Sequence, residues 1–444
     1  MTGPGGPVPD ARDLGPLGSA AVAPDRPPGV RVVLDARPLQ EPGRAPVTAA
    51  YLDGLLGAFD QEPLDGESFA FLLRSDLDDP TPSYASLQVV GRRQLPPTHL
   101  LRSGAMTIDP FLLRGASLGA AWRAERGGAA GAVYHTAGAG PLPIASGLPI
   151  VATLLDLAPW ELPDAFGRTA AARFGQRLRG RLLRDAAAVI VAGPAVKIAA
   201  RRLLHIRPDR IRVIPLAPRS AFVPAPGRGA SGRTVAGDDD AAAERERLGL
   251  TGRYLVYPGR YDARQDLATL LLALASLAEA GRPSDLPDDV AWPPRILLLG
   301  ASPEDRASLA RAAARQGIGE CLAYAPALAT ATAAGLLRGA RAAILPVVSD
   351  AAGLAAIEAL ACETPVVASA VGILPGIVGD AGVLVEARDP DRLATALRAI
   401  WADDRVHGRL AAAAKRRATS GRRTWAEVAA ETRAVYAEVG RRTA

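Results

Sequence analysis

Short apolar runs alternate with longer amphipathic stretches along almost the whole chain. In the first half the runs fall at 30–36, 69–74, 132–134, 150–155, 188–192 and 211–214, and they are apolar nearly throughout rather than at every second position. Strands of a parallel sheet read this way because helices cover both of its faces. The segments between them, 47–58, 111–126, 165–184 and 195–204, carry the spacing of helices. A second series follows: strand 254–257, helix 267–280, strand 295–299 and helix 303–316. Residues 344–385 then read as a strand, an acidic turn, a helix, a strand, a Gly-rich loop and a last short strand. Segments 389–403, 404–419 and 425–439 predict three closing helices. Strands and helices in alternation predict an α/β protein built on parallel sheets.

At 444 residues the chain is too long for one ordinary core, so two domains are expected. Residues 223–246, rich in Pro, Gly and Asp, have the composition of a linker between a domain at 30–222 and another at 247–420. The tail at 1–29 is Pro/Gly-rich and lacks an apolar core segment, so it reads as disordered and as neither signal peptide nor anchor. No apolar run reaches the ~18 residues that span a bilayer.

Charge alters this picture in one place. The 52 basic residues include only two lysines, Lys197 and Lys415, and the net charge is +6. Arginine-over-lysine usage with abundant Ala, Gly and Pro points to a GC-rich genome rather than to nucleic-acid binding. Arg173, Arg177, Arg179, Arg181 and Arg184, however, share one predicted helix. Peripheral contact with anionic lipid headgroups and a merely solvated face are both open there, the solvated face being the plainer reading. Cys321 and Cys362 lie in apolar surroundings and fit a reduced, cytoplasmic protein. His99, His135, His205 and His407 are scattered without metal-ligand spacing, which argues against a zinc site.

The candidate chemistry centres on residues 344–385. Asp350 and Glu358 stand with seven residues between them, bracketing the start of the helix. Leu354, Ile357 and Ala361 form its apolar stripe, and Glu358 lies on that stripe. A carboxylate there costs several kcal/mol, roughly, unless something pairs with it.

From Asp350 to Ser369 the chain reads DAAGLAAIEALACETPVVAS. This resembles the donor-binding signature of family 4-type (group 1) retaining glycosyltransferases, usually EGFGLPxxEAMACGTPVVAS. Further stretches are similar in order: VRVVLDARPLQ, GLPIVATLLDLAPWELP, DRIRVIPLAP and YLVYPGRYDARQDLATLLLAL. The resemblance covers 30–440 and implies the GT-B fold: two Rossmann-like domains facing a central cleft, with a C-terminal helix within 421–444 crossing back to the first domain.

It also implies transfer of a sugar from a nucleotide diphosphate sugar to a hydroxyl acceptor, with retention and without a cofactor or metal; the nucleotide sugar is the donor substrate. By resemblance Arg260 neutralises the donor diphosphate, Glu358 holds the ribose and Asp350 contacts the transferred sugar. Backbone amides near Gly353 and Leu354 would cradle phosphate. Arg264 and Gln265 would lie beside Arg260, while Asp156 and Thr48 would line the cleft from the first domain. Plainer readings stand beside these: a surface arginine after a strand, a Glu358 bonded to amides or an arginine, and a turn or N-cap aspartate at 350.

Several positions depart from the family pattern. Gln265 stands for a Lys, Leu155-Asp156 for His-Asp, 42–47 for a Gly-rich loop, Ala351 and Ala352 for Gly and Phe, and Gly376 for a Glu. They leave a second reading open, a catalytically inactive GT-B binding or partner subunit. Two other motif spellings carry little. Gly115-Ala116-Ser117-Leu118-Gly119 lies in a predicted helix rather than a nucleophile elbow, and Asp238-Asp239-Asp240 reads as solvated acid in the linker.

Overall fold

The computed structural model describes residues 30–98, 107–126, 131–224, 235–420 and 422–441. The expected tail at 1–29 and His99 lie outside them. Two parallel sheets dominate. The first joins β1 (Arg31–Asp35), β2 (Ser68–Arg74), β3 (Val89–Leu95), β4 (Ala132–Ala137), β5 (Ile150–Leu154), β6 (Ala188–Val191) and β7 (Ile211–Val213), in the order β3-β2-β1-β4-β5-β6-β7. The second joins β8 (Leu255–Tyr257), β9 (Ile296–Leu299), β10 (Leu322–Ala325), β11 (Ala342–Leu345), β12 (Val366–Ser369) and β13 (Gly382–Val385), in the order β10-β9-β8-β11-β12-β13. Every strand pairing within them is parallel.

The apolar runs become central strands for the expected reason. AVIV of β6 and ILLL of β9 are buried at every position, each covered by helices on both sides. Several helix starts carry side-chain caps. Asp266 accepts from Thr269 N at the head of Leu267–Glu279, and Asp389 accepts from Arg392 N at the head of Pro390–Ala402. Asp403 caps Asp404–Thr419 by accepting from Arg405 N and Val406 N, which separates two helices that would otherwise run together.

The closing helix Trp425–Arg441 returns to the first domain and packs on helix Pro46–Gln61 and β4. Four anchors hold it. Trp425 Nε1 donates to the Pro218 carbonyl at 3.0 Å, and the Arg433 guanidinium pairs with Glu67 at 2.7 Å, both side chains buried. Arg212 pairs with Glu438, and Tyr436 and His135 share a 2.6 Å hydrogen bond. His135 is fully buried, and burial holds its pKa down at about 3.

The structure differs from the sequence reading in several places. Residues 238–247, assigned to the linker, form helix Asp238–Arg247, which packs on helix Thr330–Gly339 of the second domain. Asp238 is not simply solvated: it pairs with the nearly buried Arg338 guanidinium at 2.5 Å. β3 was not predicted, because its VVGRRQL sequence is a polar, largely exposed edge strand. β10 and helix Thr330–Gly339 carry no clear sequence signal either; their Ala- and Thr-rich sequences lack a sharp period.

Candidate active-site cleft

Both sheets turn their carboxyl-terminal strand ends toward the groove between the domains, where open α/β sheets bind ligands. Two neighbouring cavities lie there. The larger, about 380 Å³, is walled mainly by the first domain, including Arg37, Arg44, Thr48 and Arg74. The smaller, about 60 Å³, lies against the second domain and includes Gln265, Asp350 and Leu354. Val47, Leu155, Asp156, Arg260 and Arg264 line both and form the seam between them.

Arg260 emerges where β8 ends, and its backbone is bent sharply. Gly259 has φ +98° and Arg260 itself φ +82°, a conformation L residues avoid. A buried phenol secures the bend: Tyr257 Oη donates to the Arg260 carbonyl. The Arg260 guanidinium is about one-third exposed and meets only Asp262, at 3.2 Å, among the described ion pairs. Strain of this kind, about 1–3 kcal/mol, persists where the surroundings over-determine it. The Gln265 side-chain amide, five residues on, lies 3.0 Å from Tyr257 Oη and faces the small cavity.

Arg264 supplies a second cation here, but it is spoken for. Its Nε and Nη2 donate to the two oxygens of Asp156 across the domain boundary, and Nη1 pairs with Asp262. The guanidinium also lies 5.1 Å from the Phe166 ring centre. Burial pushes the Asp156 pKa up, yet the hydrogen bonds and charge of Arg264 outweigh it and hold Asp156 below the usual carboxylate range. A second polar contact crosses nearby: Ser349 Oγ donates to Glu161 at 2.5 Å.

Asp350 is partly buried and acts as a local cap. Its Oδ1 accepts from Ala352 N at 3.0 Å and Gly353 N at 2.8 Å. Burial raises its pKa, with those two amides and Arg260 opposing the rise. The Gly353 amide expected to cradle phosphate is therefore occupied. Leu354 begins helix Leu354–Ala361 and reaches the small cavity.

Glu358 requires the main correction. It was expected to converge with Arg260 on one guest, and it lines neither of the two cavities that Arg260 lines. Its carboxylate is gripped instead by Arg219, from the segment after β7, with Nε to Oε1 at 2.6 Å and Nη2 to Oε2 at 2.9 Å. This is the pairing that makes a carboxylate tolerable on an apolar helix stripe. Burial raises the Glu358 pKa, and Arg219 pulls it back. Among the readings open for this residue, the structural one, a bond to an arginine, describes its geometry.

Thr48 lines the large cavity, packed so closely on Gly138 that a Cβ there would lie 2.0 Å from Thr48 Oγ1. The sequence reading missed the group around Arg37. Its Nε and Nη2 donate to Asp35 and its Nη1 to Asp109, at 2.5–2.8 Å, on the floor of the same cavity. Their signal was the LDARP stretch leaving the first strand.

Three of the positions that depart from the family pattern share a property. Leu155, Ala351 and Ala352 are buried in one apolar cluster with Ile373, and partly buried Ile377 packs against it. A Cβ on Gly193 would meet Ile373 Cδ1 at 2.8 Å, so the two domains touch directly there. At Leu155 a hydrogen-bonding side chain of the family pattern is thus replaced by part of an apolar seam.

Comparison with known proteins agrees with this architecture. Residues 252–403 match the family described as Glycosyl transferases group 1. The chain is 32% identical over 301 residues to a D-inositol 3-phosphate glycosyltransferase of Xylanimonas cellulosilytica, covering 64% of this chain and 63% of that protein. A protein of the same name from Frankia alni is 37% identical over 185 residues, covering 40% of this chain and 44% of that protein. The chain thus spans less than two thirds of the curated relatives it matches. Among solved structures it is similar to sucrose-phosphate synthase from Thermosynechococcus elongatus, with TM-score 0.66, 20% identity, and coverage of 92% of this chain and 98% of that one. Anabaena HepE in complex with UDP gives TM-score 0.62 at 16% identity, covering 92% of this chain and 100% of that one. The chain therefore has the GT-B fold. Its second domain matches the group 1 glycosyltransferases.

Proposed function

We propose that this protein is a glycosyltransferase that moves a sugar from a nucleotide diphosphate sugar to a hydroxyl acceptor, with retention of configuration. The observation that carries the reading is Arg260: a guanidinium held on a strained backbone at the seam of both cleft cavities, with Asp262 its one ion-pair partner among the described residues. A fixed cation there stabilises charge growing on a departing diphosphate. The first amides of helix Leu354–Ala361 supplement it from the second domain. The leaving phosphate then takes the acceptor proton, so no separate protein base is required.

The donor enters the second-domain side, and the larger cavity receives the acceptor. Relatives named for D-inositol 3-phosphate make a phosphorylated polyol the first acceptor to try. Arg44, largely exposed beside the cavity, is suited to a phosphate, and Thr48 and the Asp35–Arg37–Asp109 group to hydroxyls. Arg264, which spans both cavities, exchanges Asp156 for phosphate when the donor binds.

The second reading, a GT-B subunit without activity, rests on specific features: Glu358 is taken by Arg219, Asp350 by backbone amides, and the seam at Leu155 is apolar. Turnover separates the two. Purified protein incubated with UDP-, GDP- and ADP-sugars should release the nucleotide, faster with a polyol phosphate present. UDP or GDP should raise the thermal midpoint of wild type but not of Arg260→Ala. Binding without transfer or hydrolysis would select the inactive subunit, and absence of any nucleotide shift would overturn both.

A further inference from the structure

The net charge of this protein is concentrated on one surface. Residues 170–204 hold eight cationic residues and one acid, Asp185, in a chain whose net charge is +6. They form helices Ala170–Asp185 and Pro194–Leu204, which flank β6 and pack on each other. Successive right-handed crossovers in β5-β6-β7 put both on the same face of the sheet.

The structure divides the arginine cluster. Arg179 turns inward, donating to the Gly138 carbonyl with its guanidinium 5.0 Å from the Trp160 ring centre. Arg173, Arg177, Arg181 and Arg184 face outward along one side of the first helix, and Arg201 and Arg202 do so on the second. None of these six forms an ion pair with a carboxylate among the described residues. Many arginines elsewhere, such as Arg219, Arg338 and Arg433, do.

Two large apolar side chains stand among these cations. Phe174 is 55% exposed between Arg173 and Arg177, and Ile198 is 65% exposed beside the second helix's arginines. Solvation explains the cations alone. It does not account for a phenylalanine and an isoleucine projecting into water within the same basic field. That combination, unpaired arginines surrounding protruding apolar tips, matches an anionic lipid surface, where the cations meet headgroups and the tips enter the acyl boundary.

We propose that the outer face of these two helices docks the protein peripherally on a bilayer rich in anionic phospholipid. Lipid is favoured over nucleic acid because base recognition would use flat aromatic platforms, whereas this face carries one exposed ring and an aliphatic tip. Docking would hold the cleft near the headgroups. Gln176 of the first helix donates to the Phe166 carbonyl, and Phe166 lies under Arg264 of the cleft seam. The proposal stands independently of the transferase reading.

Sedimentation of the full chain with vesicles tests it. Vesicles of phosphatidylcholine with 30% phosphatidylglycerol should pull the protein down at physiological salt, and pure phosphatidylcholine should not. Each arginine removed should lower partitioning roughly fivefold. The quadruple variant R173Q/R177Q/R181Q/R184Q should therefore lose binding by more than about a hundredfold at an unchanged thermal midpoint. Phe174→Ala should weaken it roughly tenfold with little change in salt dependence. Equal binding to neutral vesicles, or wild-type binding by the quadruple variant, would overturn the proposal. So would a Phe174→Ala variant that binds vesicles as wild type does while both proteins bind single-stranded nucleic acid equally, which would assign the face to polyanions instead.

Discussion

Replacing Arg219 by alanine should destabilise the protein in a way that depends on pH. The Glu358 carboxylate is 7% exposed, and both its oxygens accept from this one guanidinium, itself 34% exposed. Stranding a fully buried charge costs about 3–5 kcal/mol. Because a third of the arginine is open to water, screening reduces this to about 2–3 kcal/mol. The pH dependence follows from Glu358, whose pKa is raised by burial and pulled back by Arg219. Where the folded state holds its proton more tightly than the unfolded chain, the associated stability is present at low pH. It is lost as pH rises through the folded pKa.

Removing Arg219 moves that folded pKa further up. The deficit of Arg219→Ala should therefore be full at pH 8 and at least halve by pH 5, as Glu358 takes a proton. Chemical and thermal unfolding of wild type and variant at pH 5, 6, 7 and 8 measures this. The double variant R219A/E358Q, which lacks the stranded charge, should recover part of the loss at pH 8. A deficit independent of pH, or no recovery in the double variant, would refute the claim that Arg219 compensates the buried carboxylate.

Other consequences are equally direct. Asp156→Asn removes the carboxylate that Arg264 meets across the cleft, so UDP affinity should rise roughly threefold to tenfold as that guanidinium is released; isothermal titration reads the change. His135 is neutral in the fold with a pKa of about 3, while the unfolded chain protonates it near 6.5. Its folded pKa is depressed, so stability should fall as pH drops from about 6.5 toward 3, by up to roughly 4 kcal/mol. His135→Gln should flatten that slope in unfolding curves. Arg433→Ala strands the buried Glu67 and should cost about 3–5 kcal/mol in thermal denaturation, loosening the C-terminal helix first. Gly138→Ala, at φ +74° and against Thr48, should cost about 2 kcal/mol or more and perturb the large cavity.

Much of this protein is legible locally. Continuous apolar runs such as AVIV and ILLL, alternating with amphipathic spans, fit doubly covered parallel strands, and some of those spans begin where an aspartate caps them. Position also follows from local order: Arg260 comes at a strand end, and Asp350 and Leu354 at a helix start, so each reaches the cleft because strand ends do. Even the return of the last helix was foreseeable from resemblance.

Partnership was not legible. Glu358 announced by its place on an apolar stripe that it needed a companion, but Arg219 lies 139 residues away, and Asp156 lies 108 from Arg264. A sequence states that a charge must be compensated; only the packing of two sheets brings the compensating group within 3 Å. The same holds for the five-arginine helix, where the fold turned Arg179 inward and left four outward. Local periodicity determines which elements form and which face each buries, because those choices are made within a few residues. Long-range contacts between faces decide which charges meet, and they exist only once the chain is closed.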